Sequence, residues 1–176
     1  MAYTAPANAV AGTVLTAAYL NAYLRDNILW LATDSPAVRV YNNADLTLTT
    51  GVNTALTFNQ ERFDNAGVHS TSSNTGRLTI PTGAGGKYLF GGSVVFAFNA
   101  TGDRGHHGWL NGVTTIVDNA ARAGGTFGNA MTYSAVYALT AADYLTMVCY
   151  QGSGGNLNIT AAGNYSPEFW AYWLRN

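Results

Sequence analysis

The chain has 176 residues, 48% of them hydrophobic and only 10% charged, with eight Lys+Arg against nine Asp+Glu and a formal net charge of −1. The lone Cys149 excludes an internal disulfide, the scattered arginines make no basic patch for nucleic acid, and an aromatic share of 12% excludes a disordered chain. So few charges make a lone globule poorly soluble, which points to surface covered by further copies of the chain.

Residues 1–12 are Ala-rich and unpatterned and read as an extended arm. No basic residue precedes an apolar stretch there, so no secretory leader is expected. Residues 13–33 form the one helical segment, with Thr16 as N-cap. Ala17, Leu20, Leu24, Ile28 and Leu31 recur at steps of three and four, an apolar stripe. Tyr23 and Trp30 lie off that stripe and widen the apolar face. A helix this short is unstable alone in water, so it must pack on its own domain, a symmetry mate or a docking partner. The longest pure apolar run, 28–32, is far short of a membrane span. Pro36 ends the helix, since the residue before proline avoids helical angles.

Beyond Pro36 the texture is all-β, with short apolar runs between turn clusters. Strands are expected at 37–41, 46–48, 54–58, 77–80, 87–99, 106–110, 113–117, 131–139, 143–151, 156–161 and 168–174. Asn111-Gly112 predicts a tight hairpin, because this pair supplies positive φ angles. Two strands are apolar on both sides. Tyr88, Phe90, Val94, Phe96 and Phe98 back onto Leu89, Val95 and Ala97, and Phe169, Ala171 and Trp173 alternate with Trp170, Tyr172 and Leu174. A strand with one wet face should alternate apolar with polar, so a neighbouring subunit is expected to cover the second face.

Catalytic and metal motifs are weak. There is no Gly-x-Ser-x-Gly elbow, and Gly83–Gly86 lacks the Lys-Ser/Thr end of a phosphate loop. The Asp residues sit mostly beside turn formers. Neighbouring strand positions point to opposite faces, so His106-His107 cannot chelate one ion from a strand. Cys149 alternates with Leu145 and Met147 and reads as a small buried apolar residue. Neither catalysis, a cofactor nor a metal site is expected. The 99–108 and 119–130 stretches are polar, Gly-rich and long for connections. They are the expected recognition loops, with Asp103, Arg104, His106 and His107 as candidate receptor contacts.

Several segments carry a resemblance. Leu56–Asp64, Gly67-Val68-His69, Arg77–Pro81 and Gly86–Phe90 follow in the order of the C1q-like globular head: a strand ending Phe-Asp, a Gly-x-His/Tyr loop, then two further strands. Leu110-Asn111-Gly112, Leu139–Leu145 (with Ala142 at a usual glycine) and Ser166–Leu174 (with Ala171 at a glycine) continue the likeness, over about 37–174. Gly12–Asn21 followed by Leu24–Ile28 is similar to a pattern in tailed-bacteriophage virion proteins, where a short helix precedes a fibre or tail module.

Together these resemblances imply a C1q/TNF-like jelly-roll β-sandwich, residues 37–176, preceded by one N-terminal α-helix within an anchoring segment, residues 1–36, and assembled as a homotrimer. They imply that Phe169, Ala171 and Trp173 face the three-fold axis while Trp170, Tyr172 and Leu174 fill the sandwich; the opposite phase stays open because both sides are apolar. The helical stripe of Leu20, Leu24, Ile28 and Leu31 is assigned to the same trimer contact. The implied protein is a phage virion structural protein of minor tail or fibre type. It would be assembled in the host cytoplasm and joined to other virion proteins through residues 1–33. Its head would attach to a host-surface glycan or protein. Capsid decoration or a head fibre is the alternative, and a glycan-cleaving spike enzyme the lesser one. Neither nucleic acid nor membrane insertion is implied.

Overall fold

A computed structural model describes residues 4–8, 10–124 and 126–175. Residues 1–3 and 9 of the expected arm, Gly125 of a glycine turn, and the terminal residue of the expected head lie outside the described residues.

The arm turns back onto the helix. Thr4 N donates to Asn27 Oδ1 at 3.0 Å, and Asn27 Nδ2 donates to Thr4 O at 2.8 Å. Tyr19 OH donates to Ala7 O at 3.1 Å. Thr16 is the N-cap, extended in backbone, with its Oγ1 accepting from Tyr19 N at 3.1 Å. The helix therefore starts at Ala17, directly after the expected cap, and residues 13–16 of the expected segment are not helical. It runs as α1 (Ala17–Leu20), a wide π-type segment Asn21–Arg25, α2 (Asp26–Leu29) and a second π-type segment Trp30–Asp34. Ser35 is extended ahead of Pro36, where the helix stops. Trp30 anchors it to the sandwich, packed edge-on against Trp173 with centroids 4.6 Å apart.

Among the described residues twelve strands follow: β1 (Ala37–Tyr41), β2 (Leu46–Leu48), β3 (Thr54–Ala55), β4 (Gln60–Asp64), β5 (Arg77–Thr79) and β6 (Gly86–Phe96). Then come β7 (Asp103–Leu110), β8 (Thr114–Arg122), β9 (Asn129–Leu139), β10 (Tyr144–Gln151), β11 (Leu157–Ile159) and β12 (Glu168–Arg175). The larger sheet has the order β2-β11-β6-β12-β1-β4, with β9 also on β6; the smaller has β3-β10-β7-β8, with β5 also on β10. All the pairings are antiparallel.

The dry core lies between the sheets. Val38, Val40, Phe90, Val94, Phe96 and Phe169 come from the larger sheet, and Leu78, Leu145, Met147 and Cys149 from the smaller. Phe58 closes on Phe169 with centroids 5.7 Å apart. Burial pushes the Tyr88 hydroxyl up to about 12, and it donates to Ala84 O at 2.6 Å. Asn111 and Gly112 both take positive φ, 53° and 74°, as the hairpin reading requires.

Ala142 also sits at φ 72°, where L-residues are strained. Ala142→Gly should therefore raise stability by about 0.5–1 kcal/mol, the relief of strain outweighing the extra freedom of the unfolded chain. A shift of the urea midpoint measures it, and a lower midpoint would contradict it.

Candidate functional site

The outer face of the larger sheet is built from residues alternate to the core. On β12 these are Glu168, Trp170, Tyr172 and Leu174; the cross-strand neighbours of the first three are Tyr41, Arg39 and Ala37 on β1, and Ser93, Gly91 and Leu89 on β6, while a register shift past Trp173 sets Lys87 opposite Arg175. Beyond β6 lies Val136 of β9, opposite Leu89, and beyond β1 lies Phe63 of β4, opposite Arg39. Phe63, Tyr172, Leu174 and Val136 are exposed by 40, 37, 47 and 56%, so a continuous apolar strip is uncovered on the single chain. Trp170 lies over Gly91, where any Cβ would strike its ring. Tyr172 touches both Trp170 and Phe63, each with centroids 5.9 Å apart.

Glu168 is the polar centre of this face. Its carboxylate is buried yet fully paired. Arg39 donates to Oε2, and Arg62 donates to Oε1 through Nε at 3.1 Å and Nη2 at 2.9 Å. Arg62 also lies 3.9 Å over the Tyr41 ring. A buried carboxylate is tolerable because two guanidinium groups meet its lone pairs. Sequence reading overlooked this cluster, although Glu168 is one of only two glutamates in the chain.

This geometry reverses the phase implied for β12. Phe169 and Ala171 lie in the core between the sheets, at most 1% exposed. Trp173 packs on Trp30 and donates Nε1 to Gly85 O at 3.3 Å. These three cannot meet an axis outside the sandwich; Trp170, Tyr172 and Leu174 hold the outward positions. The helical residues Leu20, Leu24, Ile28 and Leu31 are 43–58% exposed on the single chain, while Trp30 packs the helix onto its domain.

Two of the four candidate receptor contacts are also corrected. The 99–108 stretch is not one loop, for β7 begins at Asp103. Arg104 and His106 point between the sheets, opposite Gln151 and Cys149, and neither has exposed surface. The Arg104 guanidinium gathers the carbonyls of Asn99, Thr101 and Asp103 at 2.9–3.0 Å and so shapes the preceding turn. Burial lowers its pKa, against the opposing charge of Asp103. His106 packs against Tyr133 in a tilted arrangement with centroids 4.4 Å apart, and neither ring nitrogen has a hydrogen-bond partner. Asp103 stays exposed, 3.8 Å from Arg122, and His107 faces outward with Nδ1 2.8 Å from Asp118.

His69 is buried in its loop, with Nδ1 2.9 Å from Glu61 and Nε2 3.1 Å from Thr75 O. Cys149 is buried, and its thiol pKa is driven up by desolvation. Among the described residues no group of three or more His, Cys, Asp and Glu could hold a metal ion.

The architecture has close counterparts among solved structures. Murine APRIL matches with a TM-score of 0.59 at 12% identity, covering 80% of this chain and 99% of that one. The globular domain of zebrafish complement 1qA protein matches at 0.55 and 16% identity, covering 80% and 99%. Eiger TNF from S. frugiperda matches at 0.57 and 11%, covering 81% and 94%. The fold is thus a C1q/TNF-like jelly roll with one N-terminal helix, and identities this low establish the fold alone. No family model matches the chain, and no curated protein matches it.

Proposed function

We propose that this chain is a structural protein of a tailed-bacteriophage virion, of minor tail or fibre type, working as a homotrimer. Its head displays a host-attachment surface, and residues 1–33 join it to the particle. One observation carries this reading: a single chain leaves two apolar surfaces uncovered, the outer face of the larger sheet and the helical stripe. Closed three-fold packing of the first would cover Tyr172, Phe63, Leu174 and Val136, each large side chain contributing about 1.5–3 kcal/mol when fully buried. It would also leave the Arg39–Glu168–Arg62 cluster inside the interface, where its complete pairing matters most.

The stripe of Leu20, Leu24, Ile28 and Leu31 supports tethering, since exposed apolar surface on a short helix has use only against a partner. The virion assignment draws on the likeness of residues 12–28 to phage attachment helices. The role assigned is binding, without catalysis.

Light scattering on the purified chain should give three times the monomer mass. The paired substitutions Leu24→Asp and Ile28→Asp should leave the circular dichroism of the head unchanged while the protein disappears from purified particles. A monomer at micromolar concentration, or normal incorporation of the paired variant, would overturn the respective half of the proposal.

A further inference from the structure

The smaller sheet carries a second surface, distant in kind from the apolar strip. On its outer face Arg77 of β5, Thr146 of β10 and Trp109 of β7 stand abreast, joined by the registers Thr146↔Arg77 and Thr146↔Trp109. Tyr144 is the next outward residue along β10, and the Arg77 guanidinium lies 4.1 Å over its ring. The 74–76 turn and the 55–57 segment form the walls of a cleft of about 410 Å³ over this row. That volume lies within the usual range for small-ligand sites.

The polar groups in this cleft are unspent. Neither the Trp109 indole N–H, the Tyr144 hydroxyl, the Thr146 hydroxyl nor the Asn74 amide makes a side-chain hydrogen bond to the protein. Arg77 has no carboxylate partner. Elsewhere in the chain Arg25, Arg39, Arg62 and Arg122 are each set against an acid. Among the described residues no Asp or Glu lines the cleft, and Arg77 is the one charged side chain there. With its guanidinium carbon over the Tyr144 ring and its N–H groups bonded to no acid, Arg77 has the donors that a bidentate carboxylate needs.

We propose that this cleft binds an acidic saccharide, a sugar ring bearing a carboxylate. The Trp109 face takes the apolar C–H side of the pyranose, as aromatic rings do with flat, partly apolar partners. Thr146, Asn74 and Tyr144 bond to ring hydroxyls, and Arg77 takes the carboxylate. A neutral peptide would leave Arg77 unanswered, and a nucleic acid would need more than one cation. The inference deepens the attachment reading by naming a ligand class and a site. It rests on that reading only for where the sugar resides, on a host surface.

The test is a titration of the isotope-labelled full chain with sodium D-glucuronate, and with D-glucose as the neutral comparator, read by NMR at the indole and guanidinium N–H signals. Glucuronate should shift the Trp109 indole saturably and bind about tenfold more tightly than glucose, the usual worth of a charged hydrogen bond. Arg77→Gln should erase that preference while keeping weak glucose binding. Trp109→Ala should abolish both. The wild-type titration stands by itself should a variant misfold. Absence of a saturable indole shift, equal affinity for the two sugars, or binding that survives Trp109→Ala would overturn the proposal. The attachment reading fails separately, through particle incorporation and mass, neither of which depends on sugar.

Discussion

Phe169→Ala should lower the free energy of unfolding by about 3–5 kcal/mol, whereas Tyr172→Ala should leave each head folded and weaken its self-association. The residues are three apart on one strand and belong to opposite faces. Phe169 is fully enclosed between the sheets against Phe58, so truncation leaves a cavity that a β-sandwich closes poorly. A loss of that size consumes much of the 5–15 kcal/mol typical of a domain. Tyr172 is 37% exposed, and its ring contacts are with the outward rings of Trp170 and Phe63. Its removal opens no internal cavity and strips area from the proposed interface. Urea denaturation and sedimentation on the same samples separate the two effects. Dissociation without destabilisation for Phe169→Ala, paired with unfolding for Tyr172→Ala, would mean the strand is turned the other way.

That contrast also explains why the phase of β12 was hard to read from sequence. Alternation of Phe169, Ala171 and Trp173 with Trp170, Tyr172 and Leu174 has no polar side to mark the outside. The missing mark was one residue upstream: Glu168 shares the face of Trp170 and Tyr172, and a carboxylate belongs to the side away from the dry core. Local signals with a fixed mechanism were legible. Thr16 as a cap, Pro36 as a stop and Asn111-Gly112 as a hairpin each depend on a few adjacent atoms. The apolar pattern did not mark β4, which only the resemblance implied as a strand ending Phe63-Asp64, because Gln60–Asp64 is mostly polar and lies at the sheet edge, where no pattern of burial is imposed on it. Arg104 and His106 misled in the opposite direction. Glycines around them suggest a loop, yet β10 supplies partners residue for residue, and Arg104 spends both Nη groups on the turn it helps to form while its Nε stays buried without a partner. The groove of Arg77, Thr146 and Trp109 draws on three strands far apart in the chain, so only the registers of β5, β10 and β7 assemble it.

His106 should make the fold acid-sensitive in a defined window. Burial, helped by the neighbouring His107, pushes its pKa down from 6.5 to about 3, so the folded chain keeps the ring neutral. The unfolded chain protonates the same ring below about pH 6.5. Between those limits the unfolded state holds one more proton, and stability falls by about 1.4 kcal/mol for each unit of pH lost. The contribution is complete above pH 6.5 and gone near pH 3. Asp143 acts in the same sense, its pKa lowered by the Asn111 side chain and then the Thr140 backbone, but only below the ordinary carboxylate value of 3.8. The slope between pH 6.5 and 4 can therefore be assigned by replacing His106 alone. His106→Leu removes the protonatable ring together with two nitrogens that have no partner, and apolar neighbours such as Met147 suit the new side chain. At pH 7.5 the variant should be as stable as the natural chain or more so, since an unpartnered buried polar group costs about 1–3 kcal/mol. At pH 4.5 it should unfold at a clearly higher urea concentration than the natural chain. Urea midpoints at one fixed protein concentration across this range measure both, because association also contributes to apparent stability. An undiminished slope in His106→Leu would place the acid sensitivity elsewhere and would show that the ring takes up its proton inside the folded sandwich.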